Sequence, residues 1–283
     1  MIIPGVLTRF DPVVAPVPLV FDSPHSGTEY PADFRFVAPV EMVRSAEDTH
    51  VDALFGAAPE HGATLLAALF PRSYIDANRH VSDLDPELID GIWPDKLQPG
   101  EKTGFGIGLV RTLAEPGVKM YDRKLSVAEL RARIDTYYRP YHDQLAAIID
   151  GLHARFGAVW HINCHSMASR GSDMTPDGRV DRAEFVLGDR DGTTCAPEFR
   201  DFVARVLRDM GYDVRINDPY KGVEIVRRYS DPSARRHSLQ IEINRRLYMD
   251  ERTREKNAGF TKLQADLTRL IRHLADYTKA ASA

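Results

Sequence analysis

Six short apolar runs, each bounded by turn residues and separated by helical patterns, constrain this chain more than any other feature. Val17–Phe21, Thr64–Leu69, Val159–Asn163, Phe185–Leu187, Val214–Asn217 and Ser238–Asn244 read as strands. Between them, helical periodicity runs from about Val40 to Ala58, from Ser126 to Phe156, from Pro197 to Met210 and from Asp250 to Lys279. Such alternation predicts an α/β fold with a mixed, largely parallel central sheet and helices on both faces. In sheets of this kind ligands bind beyond the carboxyl ends of the strands, so polar residues at strand exits are the ones to inspect.

Ser126 and Glu129 have capping-box spacing and predict a helix start, while Pro140 predicts a kink or a split. Nothing in the 283 residues reads as a linker, and one domain spanning 1–283 is expected. Lys plus Arg total 37 against 41 for Asp plus Glu, a balance that excludes a dedicated nucleic-acid surface. No run approaches the roughly 18 apolar residues of a membrane span, and Met1–Leu7 is too short and uncharged for a secretory signal. The expected setting is the cytoplasm, and the expected partner is a small molecule. With Cys164 and Cys195 as the two cysteines, a disulfide scaffold and an all-thiolate zinc site are excluded, so a metal must rest on His and carboxylate.

Four strand exits carry chemistry. His25 lies in Asp22-Ser23-Pro24-His25-Ser26-Gly27, where turn formation explains Pro and Gly but not His. His165 follows Val159–Asn163, and alternation puts His161, Asn163 and His165 on one face, with His161 the packed or supporting member. Period two in Leu239–Arg245 sets Gln240, Glu242 and Asn244 opposite Leu239, Ile241 and Ile243. Glu242 is either a solvent-facing edge residue or, in a covered sheet, a carboxylate that must be paired or working. Tyr74–Arg79 looks strand-like; Arg79 can clamp a carboxylate with Asn78 beside it, or form a structural bridge to Asp. Ala46–Asp52 reads as helical, with Asp48 and Asp52 on one face, and one of its acids could complete a metal site. No His-Glu-x-x-His motif is present, so ligands must converge from separate segments. Gly104–Gly108 lacks dinucleotide-binding spacing, and Cys164 should point away from His165.

Taken together, Ser-Pro-His25-Ser-Gly, Asp48-Thr-His50-Val-Asp52, Asp76-Ala-Asn78-Arg79, Asn-Cys-His165-Ser-Met and Gln-Ile-Glu242-Ile-Asn resemble the N-formylglutamate amidohydrolase family. The resemblance extends in order through Lys102–Gly108, Arg139–His142, Leu187–Cys195, Lys221-Gly222, Arg228-Tyr229 and Tyr248–Glu251. That family is similar in fold to zinc carboxypeptidases and aspartoacylase-type deacylases. The resemblance implies that His25 and His165 bind one zinc ion or another divalent metal, that Glu242 is the general base, and that Asn78 and Arg79 hold the substrate carboxylate. Zinc carboxypeptidases place a second ligand, Glu, three residues after the first His, where this chain has Thr28. Asp48 is the favoured third ligand, with Glu29 and His50 behind it.

The implied reaction is hydrolysis of the N-formyl or N-acyl amide of an acidic amino acid, most directly N-formyl-L-glutamate to formate and glutamate, with Arg170 or Arg228 helping to stabilise the oxyanion. Departures at Ser26, Asn163, Met167 and Asn217–Tyr220 flank the pocket rather than the metal. Two rival readings remain: a zinc carboxypeptidase acting on peptides or cell-wall fragments, and a non-catalytic binding protein for an acidic ligand.

Overall fold

In the computed structural model, which describes residues 1–172 and 177–282, the strands join in one eight-stranded sheet. They are β1 (Ile2–Ile3), β2 (Leu7–Phe10), β3 (Leu19–Ser23), β4 (Thr64–Ala68), β5 (Val159–Met167), β6 (Phe185–Gly188), β7 (Val214–Ile216) and β8 (Arg236–Asn244). Their order is β1-β2-β4-β3-β5-β8-β6-β7. The middle of the sheet, β4-β3-β5-β8, is parallel, while β2 runs antiparallel to β4 and β6 antiparallel to β8. All four parallel strands therefore end on the same edge, where the chain leaves β3 toward His25 and β4 toward Arg72.

Helices cover both faces, as the alternation predicts. One face buries Phe21, Ile162, Cys164, Leu239, Ile241 and Ile243 against helices Pro197–Asp209 and Phe260–Ser282. The other packs Val20, Leu66 and Val159 against Tyr141, Leu145 and Ile149 of helix Arg139–Phe156 and against the long connection that follows β4. Ser126 forms the expected capping box with Glu129. The long helical pattern is split: Val127–Arg133 passes through a π-helical turn, Ile134–Tyr138, before Arg139–Phe156 starts with Pro140 in its first turn. Tyr138 and Arg139 keep helical dihedrals, so the helix runs on, and the π turn lies directly before Pro140, whose missing N–H and ring would disturb a regular α-helical ladder. Among the described residues no helix is long and apolar enough to cross a membrane.

Two local expectations are corrected. The helical pattern Val40–Ala58 breaks into Val40–Arg44, Val51–Leu54 and a 3₁₀ turn at Ala58–His61, so Asp48 and Asp52 do not share a helix face. His50 stands at φ 70°, and the Asp48 amide donates to the His25 carbonyl at 3.0 Å, which draws this segment to the β3 exit. Likewise Tyr74–Arg79 is no strand. Asp76 Oδ1 accepts from the Asn78 amide at 2.8 Å, the short local bond with which Asp competes against extended pairing.

Candidate metal centre and active site

The exits of β3 and β5 converge on a buried triad. His25 Nδ1, His165 Nδ1 and an Asp48 oxygen all lie within 4.8 Å of one another, as a group that could hold a metal ion. The two Nδ1 atoms are 3.1 Å apart, and Asp48 Oδ2 is 3.4 Å from the first and 3.0 Å from the second. Each residue arrives by a different local device. His25 leaves β3 through Pro24, and its turn passes so close to the chain just beyond β4 that a Cβ at Gly27 would sit 2.3 Å from the Phe70 carbonyl oxygen. His165 lies within β5, which continues to Met167, beyond the expected end at Asn163. Asp48 comes from the broken helical segment.

The outer sides of both imidazoles are occupied. His25 Nε2 donates to Asp76 Oδ1 at 2.7 Å, and His165 Nε2 donates to Asn163 Oδ1 at 2.7 Å. These bonds assign the protons to Nε2 and leave both Nδ1 lone pairs aimed at each other and at Asp48 Oδ2. Three acceptors facing one another repel unless a cation lies between them. The donor set of two neutral imidazoles and one carboxylate, each braced from behind, suits a divalent metal. Asp48 Oδ1, by contrast, accepts from Arg245 Nη2 at 3.0 Å and Ser166 Oγ at 3.2 Å, so one oxygen is anchored and the other is free for an ion.

Electrostatics agree with the geometry. Burial works to raise the Asp48 carboxyl, yet His165 and His25 hold it well below the usual carboxylate range. Asp76 is also held low against its burial, by Arg72, His25 and Arg79. Burial, with His25 nearby, lowers the His165 imidazole and favours the neutral form that binds metal. Glu242 goes the other way: burial and the Asp48 charge push it well above its ordinary value. Glu242 pairs in register with His165 across β5 and β8, so the two side chains stand side by side on one face. It is 8% exposed and accepts from Gln240 Nε2 at 2.9 Å, so the reading of Glu242 as a solvated edge residue fails.

Behind the triad runs a buried polar ladder on the same face. His161 Nε2 donates to Asp22 Oδ1 at 2.7 Å and its Nδ1 accepts from Ser238 Oγ at 2.7 Å. Asn163 Nδ2 donates to the same Asp22 oxygen at 2.8 Å, and the Tyr141 hydroxyl donates to Asp22 Oδ2 at 2.7 Å. His161 is thus a supporting residue, as expected, and Cys164 lies in the opposite core, its thiol pushed up by burial.

The remaining expected site residues divide. Arg79 is buried beside Asp76 and bonds to backbone carbonyls, Nε to Ile107 at 3.0 Å and Nη1 to Asn78 at 3.2 Å. Asn78 Oδ1 accepts from the Ile225 amide at 2.8 Å, whereas its Nδ2 lies 3.0 Å from His165 Nε2 and, both being donors once the Nε2 proton goes to Asn163, makes no hydrogen bond with it. Glu29 is exposed, and His50 Nε2 donates to the Arg254 carbonyl at 2.9 Å, so neither joins the triad. Arg170 is exposed, with Nε on the Arg179 carbonyl at 3.1 Å. Arg228 is exposed and reaches the Tyr138 hydroxyl at 3.5 Å. Neither arginine has a hydrogen bond or ion pair to the triad or Glu242 among the described residues. Sequence reasoning passed over Arg72, which grips Asp76 Oδ2 through Nε at 3.2 Å and Nη2 at 2.9 Å and acts electrostatically on both Asp48 and Glu242. Its signal was its spacing: four residues before Asp76, at the exit of a parallel strand.

A family model described as N-formylglutamate amidohydrolase matches residues 17–249. The crystal structure of an N-formylglutamate amidohydrolase from Ralstonia eutropha JMP134 superposes with a TM-score of 0.93 at 51% identity, covering 98% of this chain and 99% of that one. N-formylglutamate deformylases of Pseudomonas putida and Pseudomonas aeruginosa are 30% and 31% identical over 240 residues, 83% of this chain and of each relative. A protein of Agrobacterium tumefaciens shares the fold at 19% identity, with a TM-score of 0.68. With a matching motif order, a sheet that gathers those motifs at one edge, and relatives that align along most of its length, this chain belongs to the N-formylglutamate amidohydrolase family.

Proposed function

We propose that this chain, acting as one catalytic unit over 1–283, hydrolyses the N-formyl amide of an acidic amino acid, with N-formyl-L-glutamate as the substrate and formate and L-glutamate as products. The observation that carries this reading is the set of three inward-facing acceptors, His25 Nδ1, His165 Nδ1 and Asp48 Oδ2, with the Glu242 carboxyl alongside. The relatives named for the same reaction support the choice of substrate. Zinc is the ion we assign, because the donors are two imidazoles and a carboxylate. Such an ion supplies Lewis acidity and a hydroxide-like nucleophile at neutral pH.

The chain's own residues do the rest. Glu242 accepts a proton from the attacking water and returns it to the departing nitrogen, so that water adds oxygen to the formyl carbon while the C–N bond breaks. Burial and Asp48 push its carboxyl up while Arg72, Arg245 and Arg182 pull it down, a balance that suits a group gaining and losing a proton in one cycle. Arg72 is the guanidinium we assign to the developing oxyanion, in preference to the exposed Arg170 and Arg228. Arg79 orients the substrate through a carboxylate, with the side-chain N–H of Asn78 beside it. A cytoplasmic setting fits this reading.

The test is formate release from N-formyl-L-glutamate by zinc-loaded protein, beside a chelator-treated sample with metal restored. Release that disappears with the metal and returns with it is the expected result. Tightly bound zinc with no formate from this substrate would reject the assignment and leave the metal site standing.

A further inference from the structure

Within that reading, the charges around the triad do not balance, and the excess lies on two arginines. Arg245 is matched by Asp48, and Arg72 by Asp76. Among the described residues the Arg79 side chain bonds only to backbone carbonyls. Arg111 has no side-chain hydrogen bond or ion pair among the described residues, and its Nε is buried without a partner. Arg111 is half-buried, and a buried guanidinium nitrogen without an acceptor is costly to keep.

Arg111 belongs to the segment that braces Arg79. The Asp76 amide donates to the Leu109 carbonyl at 2.8 Å, and the Leu109 amide donates to the Asp83 carbonyl at 2.7 Å. Arg79 Nε reaches Ile107 of the same segment. Arg111 feels Arg72 and Arg79 as repelling neighbours and Asp76 and Asp48 as attracting ones, and burial with these cations pulls its guanidinium down to about 9. Two neighbouring guanidiniums thus lack a carboxylate partner among the described residues, and an N-acyl glutamate brings two carboxylates.

We propose that Arg111 is the specificity-determining residue that binds the second carboxylate of a dicarboxylate substrate, while Arg79 binds the first. A planar guanidinium can take a carboxylate through two parallel hydrogen bonds, which an amide cannot match because it offers one acceptor oxygen and a donor NH₂. The proposal rests on the assigned hydrolysis, so its test separates the two.

Turnover of N-formyl-L-glutamate and N-formyl-L-glutamine is compared in zinc-loaded wild type, Arg111→Met, Arg111→Lys and Lys102→Met. Binding of the products L-glutamate and L-glutamine is measured calorimetrically on the same samples. Wild type should favour the dicarboxylate about 10- to 100-fold in kcat/KM and in affinity, the value of hydrogen bonds to a charged group. Arg111→Met should erase that preference, mainly through KM. Arg111→Lys should recover part of it, and Lys102→Met, which removes a nearby cation that Arg79 repels and Glu101 attracts, should keep it. Preference intact in Arg111→Met, or lost in Lys102→Met instead, overturns the proposal. Calorimetry reads the preference even if formate release fails, so an Arg111-dependent preference without turnover would overturn the assigned reaction and not this residue's role.

Discussion

The two faces of β5 and β8 differ as much as any two regions of this molecule, although the same residues of backbone build both. One face shows Ile162, Cys164, Leu239, Ile241 and Ile243 to a helix layer. The other shows His161, Asn163, His165, Gln240 and Glu242, all buried; the first three are linked through Asp22 to the triad, and Gln240 bonds Glu242. Apolar packing is non-directional and tolerates small errors in position. A buried polar ladder is directional, and each member left without its partner costs free energy, so the ladder fixes imidazole orientation to a degree that packing alone does not. The difference teaches that the strand alternation divides labour: one face supplies stability, the other a fixed constellation.

The largest effect that would break this division is on the polar face. Glu242→Gln should lower kcat by about 10²- to 10⁴-fold, the usual worth of a general base, while zinc content by elemental analysis stays at the wild-type level. Near-wild-type turnover in that variant would remove Glu242 from the chemistry. On the apolar face Ile241→Ala should reduce the unfolding free energy by about 2–5 kcal/mol in urea titration, with zinc affinity unchanged. A parallel loss of zinc affinity would show that the faces are not independent.

Smaller effects sharpen the comparison. Asp76→Asn removes the charge behind His25 and should weaken zinc binding about 10- to 100-fold, read by chelator competition. An unchanged affinity would mean that this brace is dispensable. The smallest effect concerns His142, which holds the Ala77 carbonyl through Nε2 at 2.9 Å and so steadies the Asp76–Arg79 turn. Burial and Arg228 lower its folded-state value from 6.5 to about 3. The unfolded chain therefore takes up the proton first as pH falls below 6.5, and stability declines between there and about 3. Between pH 6.5 and pH 5.5 this linkage amounts to about 1 kcal/mol. His142→Asn should flatten that part of the stability profile, and an unchanged slope would place the acid sensitivity elsewhere.

Much of this was legible beforehand. The six apolar runs were recognisable because buried strands are short and bounded by turn residues, and His25, His165 and Glu242 could each be singled out by position, whereas Asp48 was favoured only through the family resemblance. Element ends were less legible: β5 continues four residues beyond the polar Asn163, because Glu242 and Asn244 of β8 pair alongside it. The helical reading of Ala46–Asp52 failed because long-range bonds to His25, His165 and Arg245 outweigh local periodicity.

Periodicity is a local property, so the amino-acid order by itself determined the α/β class, the mixed sheet and the face on which His161, Asn163, His165 and Glu242 would stand. Partner choice is not local. Only the tertiary structure decided that Asp48, rather than Glu29 or His50, meets the two imidazoles, that Asn78 Oδ1 is taken by the Ile225 amide, and that, among the described residues, Arg72 is matched by an acid while Arg111 is not. A charge that looks alike in the chain becomes paired or unpaired according to what folds against it, and here that pairing separates the groups that brace the site from those left to meet a substrate.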